Sequence, residues 1–202
     1  MDFGLPGGVL ADAILGVVRE SETPAVANHS VRSFFFAERI AARQGLTYDR
    51  DLLFAAAVMH DLGTGKRAEG AARFEVEGAD LAAEVLREHG VGEGAVEQVW
   101  EAIALHTSAG IAERRGVLTY LTRAGVGADF APGSSNASDE RWEQALHDEY
   151  PRLGMASALV DAIVEHAGRS AAAGAPYTLG GELLRERREH GVTRLERAAG
   201  RG

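Results

Sequence analysis

The amino-acid sequence predicts an all-α fold, a single helical bundle. Three observations predict it. Apolar residues recur at spacings of three and four along most of the chain. Capping residues and glycines bracket these stretches at helix-sized intervals. No stretch alternates apolar and polar residues for long enough to build a strand.

The elements follow in order. Residues 9–19 carry Leu10, Ile14, Val17 and Val18 on one face. Thr23-Pro24 is an N-cap and first-turn pair for a second helix, Pro24–Gln44, which Gly45 stops. Asp49 caps a third helix that ends near His60-Asp61, where Gly63 and Gly65 break it. The fourth covers Phe74–Glu88 and is stopped by Gly90; the fifth spans 94–106 and the sixth 114–129. Residues 131–138, Ala-Pro-Gly-Ser-Ser-Asn-Ala-Ser, read as a loop. A helix then starts near Ser138 and stops before Pro151, and Met155–Ala167 is the last strongly apolar one. Residues 170–176 form a small-residue linker, and 183–201, rich in arginine, read as a solvated helix or frayed tail. The domain organisation is therefore a helical domain over 1–170, followed by a linker and tail over 171–202.

Composition bounds the function. With 202 residues, such a chain buries about 70% of its unfolded surface, enough for a core without disulfides. The net charge of −9 points away from nucleic acid and anionic membranes as partners. The absence of cysteine excludes a thiolate nucleophile and cysteine-bound zinc. Met1-Asp2-Phe3-Gly4 has no basic stretch of a secretion signal, so the cytoplasm is the expected location. The expected partner is a small-molecule substrate, and a homo-oligomer is compatible with the sequence.

Four ionisable residues sit on inward-facing stripes. His29 aligns with Val26, Ser33, Phe36 and Ile40, and His60 follows Leu53 and Ala56 or Ala57. His106 aligns with Val99 and Ile103, and Asp129 with Leu118, Leu121 or Thr122, and Gly125. Asp61 lies about 100° round the helix from His60, but at a helix end both can reach one ion. A single inward histidine is ordinarily a hydrogen-bonded core residue. The joint pattern is different, because buried imidazoles and carboxylates are costly unless paired or bound to a metal, and one shared divalent ion removes that cost for all.

The motifs Asn28-His29-Ser30-Val31-Arg32, Val58-Met59-His60-Asp61-Leu62-Gly63 and Gly125-Val126-Gly127-Ala128-Asp129 resemble those of the HD-domain superfamily of metal-dependent phosphohydrolases and related hydrolases. The likeness covers roughly residues 24–130; Asp139 and Asp148 lie not far beyond the last motif. Within the superfamily, the first motif and Arg73-Phe74-Glu75-Val76-Glu77-Gly78-Ala79 are most similar to the cyanamide-hydratase-like branch, which adds water across a small nitrile with one bound zinc. The resemblance implies a helical fold and the metal ligands His29, His60, Asp61 and Asp129. It implies one divalent ion, zinc by preference, while such a donor set also accepts iron, manganese, nickel or cobalt. His106 is expected to line the substrate cavity and exchange a proton. Asp61 is expected both to bind the ion and to accept the proton of water, and the branch likeness places Glu75 near the reaction. Arg32 and Lys66 are the candidate substrate-binding cations: Arg32 either reaches the cavity or anchors a carboxylate such as Glu75, and Lys66 either holds phosphate, as a lysine near this position does in phosphohydrolase members, or is a loop surface charge. Three functions compete: a one-metal hydratase or hydrolase of a small molecule, a phosphohydrolase on a nucleotide or other phosphate ester, and a non-catalytic module stapled by its metal. A two-iron oxygenase is set aside because the second ligand set is incomplete, with only His89 and His106 between His60 and Asp129, and His89 beside a helix stop.

Overall fold

A computed structural model describes residues 3–130 and 137–199. Among them ten α-helices and two short 3-10 turns form, and no strand. The helices are α1 (Val9–Ser21), α2 (Pro24–Gln44), α3 (Arg50–Met59), α4 (Phe74–Glu88), α5 (Glu93–Ala104), α6 (Val117–Phe130), α7 (Ala137–Glu149), α8 (Met155–Ala167), α9 (Leu179–His190) and α10 (Arg194–Ala199).

Local chemistry sets the helix starts. Thr23 Oγ1 accepts from the Val26 amide at 3.4 Å, ahead of Pro24 in the first turn of α2. Asp49 Oδ1 accepts from the amides of Asp51 and Leu52 at 3.0 and 3.1 Å and starts α3. Two boundaries differ from expectation. Helix α5 closes at Ala104 because His106 N bonds Ile103 O, a tighter three-residue step that lifts His106 out of the helix. Helix α6 begins only at Val117, since residues 112–114 form a separate 3-10 turn. Of the loop expected at 131–138, residues 131–136 lie outside the described residues.

Helix α3 runs through the middle of the bundle. Every residue from Leu53 to Met59 is buried, as expected of a helix that is apolar on all sides. Phe34, Phe35 and Phe36 of α2 are core residues beside it. Helices α2 and α6 cross at a glycine: a Cβ on Gly125 would lie 2.2 Å from Ser33 O. Ser33 is one turn from His29 and Gly125 one turn from Asp129, so this close approach brings those two side chains together.

As far as residue 199 the C-terminal stretch is helical rather than frayed, and residues 200 and 201 lie outside the described residues. Leu183 of α9 is fully buried in a second apolar cluster with Val26, Phe74, Met155, Leu159 and Ile163. Its apolar residues are few, but Leu179, Leu183 and Leu195 all reach this cluster. The arginines turn outward to acids, as in the Arg185 pairs with Glu182 and Glu189. Among the described residues no helix is long and apolar enough to cross a membrane.

Candidate metal centre

The end of α3 solves a geometric problem. His60 keeps helical backbone angles, but Asp61, at φ −102° and ψ 6°, leaves the helix and leads into a 3-10 turn, Leu62–Thr64. The change of step lets two adjacent side chains converge on one place. The turn is fastened to α4 through glycines. A Cβ on Gly63 would lie 1.8 Å from Phe74 O, and one on Gly78 would lie 2.9 Å from Gly63 N. Thr64 closes it with its amide and hydroxyl on Asp61 O, at 2.8 and 2.9 Å.

His29, His60 and Asp61 are all buried, and each offers a ligand atom within 4.8 Å of the others. His60 Nε2 is 3.0 Å from Asp61 Oδ2, and His29 Nε2 is 3.9 Å from the same oxygen. His106 Nε2 approaches the other oxygen, Oδ1, at 3.9 Å. The opposite ring edges fix the tautomers. His60 Nδ1 donates to Ala57 O at 2.8 Å and His106 Nδ1 to Ile103 O at 2.7 Å, because a carbonyl oxygen can only accept. His29 Nδ1 donates to Asp129 Oδ2 at 2.7 Å. In the neutral rings, each Nε2 therefore presents a lone pair toward Asp61.

This arrangement fits a cation. His29 Nε2, His60 Nε2 and Asp61 Oδ2 are buried and have no hydrogen-bond partner. Three unpaired polar atoms packed together are costly in a protein interior, and a divalent ion bound between them removes the cost.

The local charges agree. Burial would raise the Asp61 carboxyl, but His60, His29 and His106 bring it down to about 2. Burial lowers His29, and the bond to Asp129 offsets this only in part. Burial also pulls His60 down, but Asp61 overcomes it and leaves His60 above its ordinary value. His106 falls to about 4, through burial and then the neighbouring His60.

Asp129 and Arg32 are placed differently from the ligand and substrate-binding roles expected of them, and Lys66 stands apart from the site. Asp129 is buried behind His29. Its Oδ2 accepts from His29 Nδ1 and from Arg32 Nη2, each at 2.7 Å, and its Oδ1 accepts from Arg32 Nε at 2.8 Å. It thus stands on the far edge of the His29 ring, outside the group of converging ligand atoms, and orients that ring. Arg32, expected at the substrate, is fully buried; besides Asp129 it binds the carbonyls of Tyr150 and Pro151. Lys66 is exposed and lines a separate recess with Ser21, Glu22 and Arg169. Glu75 is buried; its Oε1 accepts from Thr107 Oγ1 at 2.6 Å and from Arg73 Nη2 at 2.9 Å. Burial would raise Glu75, but Arg73, His106 and Thr107 hold it below the usual range. Asp139 is paired with Arg39 and Arg43.

His60, Asp61 and His106 share one end of a cavity of about 220 Å³. His106 lines it, as expected. Sequence reasoning missed its other walls, among them Arg123, Phe130, Leu159, Leu179 and Leu195. Leu159 has the helical spacing of an ordinary core residue, Leu179 stands among Pro, Thr and Gly residues next to a stretch read as linker, and the charge around Leu195 hides it. His147, read as structural or exposed, lies with Nε2 3.8 Å from Asp129 Oδ1.

A buried carboxyl that the sequence did not single out gives a pH prediction. Glu22 Oε1 has no partner, and Oε2 has only a 3.5 Å bond from Ser30. Burial and the Asp61 charge raise Glu22 well above 4.5. A raised folded-state value means that its stabilising contribution is complete below about pH 4.5 and is lost as pH rises through that value. Glu22→Gln is therefore expected to melt several degrees above the parent at neutral pH and to converge with it in acid. Melting curves whose separation does not change with pH would contradict this.

Comparison with known proteins agrees with the site. No curated protein matches the chain. A family model, the HD domain, matches residues 26–185, well over half of the chain and a span that includes His29, His60, Asp61 and Asp129. The chain therefore belongs to the HD domain family, whose members are generally metal-dependent hydrolases.

Proposed function

We propose that this protein adds metal-activated water to a small molecule, as a hydratase or hydrolase, with nitrile hydration the favoured reaction. One observation carries the proposal: the unpartnered buried atoms of His29, His60 and Asp61 gather together, and His60 and Asp61, with His106, line a mostly apolar cavity. When bound there, a divalent cation, zinc by preference, supplies Lewis acidity and brings the pKa of water down toward about 7.

The chain's own groups then divide the work. His29 and His60 would hold the ion through Nε2 and Asp61 through Oδ2. His106, with its Nε2 lone pair beside Asp61 Oδ1, accepts a hydrogen bond from the water and moves its proton. Asp61 Oδ1 is the second acceptor at that place. Glu75 holds Thr107, whose side chain is poised for the polar end of the substrate. Phe74, Phe130 and the leucines exclude bulk water. The nitrile preference is supported by the likeness of the motifs around His29 and Glu75 to the cyanamide-hydratase-like branch. The alternative, a phosphohydrolase on a nucleotide or phosphate ester, gains nothing from Lys66 or Arg32, which face elsewhere. A non-catalytic, metal-stapled module is the third reading. We propose the cytoplasm as the location, in keeping with a cysteine-free chain.

The test is metal analysis of the purified protein, then a screen of small nitriles against phosphate esters with zinc, iron, manganese, nickel or cobalt restored. Amide formation that stops on chelation and returns with metal is expected. His106→Ala should keep its metal and lose turnover by about 100-fold or more. Phosphate release would favour the alternative. Chelation that unfolds a protein inactive on both panels would favour the structural module. Loss of a second metal equivalent in His106→Ala would indicate a two-metal centre.

A further inference from the structure

We infer that the substrate is a compact, uncharged molecule with one polar end and an apolar body, and that helices α8, α9 and α10 select it. The inference rests on the reading above that the His60-Asp61 end of the cavity is where reaction occurs.

The cavity is two-faced. Its polar end holds His60, Asp61 and His106, with Thr107 beside them. The rest of the lining is largely apolar: Phe130 from α6, whose ring packs on His29 at 5.1 Å between centroids, Leu159 and Ile163 from α8, Leu179 from α9 and Leu195 from α10. A molecule whose polar group meets the cation therefore lays the rest of its body against hydrocarbon, and each buried methylene contributes to binding.

Charge argues in the same direction. Among the described residues, Arg123 is the one cation lining the cavity. Its Nε donates to Glu113 Oε1 at 2.8 Å and its Nη1 to His106 O at 2.9 Å, so its charge is already paired. Besides any metal ion, sites that take phosphate or carboxylate groups commonly present unpaired guanidinium or ammonium donors to the rest of the anion. Here an anionic body would lose its hydration against apolar walls with no such donor to replace it.

Size sets the upper bound. A dry cavity of roughly 150 Å³ accepts benzene, while sites for drug-sized ligands run to roughly 300–1,000 Å³. At about 220 Å³ this cavity suits a small ring or a short alkyl chain with a head group, and is too small to enclose a whole nucleotide.

The selecting residues can be altered without emptying the core. Leu179 and Leu195 are only half-buried, unlike Leu183, which has no exposure. They come from the segment that the sequence marks as linker and tail, so this segment serves the site.

The test is calorimetric binding to the metal-loaded protein, independent of turnover. The probes are straight-chain primary amides from two to six carbons, with inorganic phosphate and adenosine monophosphate as charged comparisons. Affinity is expected to rise about fourfold per added methylene until the cavity is full. Both phosphates should bind at least tenfold more weakly than the best amide. Leu195→Ala and Leu179→Ala should each flatten the chain-length dependence while leaving metal content unchanged. An amide series with no length dependence in the parent protein would overturn the inference, and so would either phosphate binding more tightly than every amide. A length-dependent series in a protein that turns over nothing would defeat the proposed function and leave this inference standing. Nitrile turnover without length dependence would do the reverse.

Discussion

His60→Ala and Asp61→Ala each abolish the bound cation, with apparent affinity falling by about 100-fold or more. The reason lies in how little redundancy the cluster has. Three unpartnered atoms converge, from His29, His60 and Asp61, and each variant removes one of them. Asp61→Ala also removes the anion that approaches all three imidazoles, at 3.0 Å for His60 and 3.9 Å for His29 and His106. Both variants should lose activity together with metal. Neither should unfold, because the turn that carries them is held by backbone and glycine contacts rather than by these side chains. Elemental analysis is the measurement, and full metal content in both variants would show that the site is elsewhere.

Asp129→Ala is expected to have the largest effect on stability, about 3–5 kcal/mol. It strands Arg32, a fully buried guanidinium whose Nε and Nη2 both bond to this carboxylate. At about 2–4 °C per kcal/mol for a chain of this size, melting falls by roughly 10 °C. Arg32→Met in the same chain should recover part of the loss by removing the unpaired charge. Metal behaviour separates two roles for Asp129. An orienting partner of His29 weakens affinity by about 10–100-fold when removed, as such partners generally do. A direct ligand abolishes binding, as at Asp61. Thermal melts and metal titration of the variant decide: unchanged melting with abolished metal would show that Asp129 leaves Arg32 and joins the ion.

Much of this was legible in the chain because the governing interactions are local. Helices α2, α4 and α8 have the boundaries that the capping residues, glycines and spacing indicate. The inward positions of His29 and His60 depend only on helical periodicity and on the break after His60, while His106 faces inward from just past the end of α5. The position of Asp129 is another matter. It pairs with a residue 100 positions away, across a helix crossing set by the fit of Gly125 against Ser33 O, and no local pattern encodes that. Arg32 is misread for the same reason: one turn from His29 is compatible with either side of the ring. Lys66 lies near the signature in sequence, but the 3-10 turn directs it to another recess. The place of Leu195 in the cavity wall was hidden by the charge of its neighbours, and that of Leu179 by the Pro- and Gly-containing segment around it.

The central claim is that His29 and His60 turn their Nε2 atoms, and Asp61 its carboxylate, onto one cation. X-ray absorption at the zinc edge, on protein carrying one equivalent of zinc, tests it most directly. The expected spectrum shows two imidazole nitrogens at about 2.0–2.1 Å with oxygen completing the shell. A spectrum without imidazole scattering, or an inability to bind one equivalent at all, would contradict it.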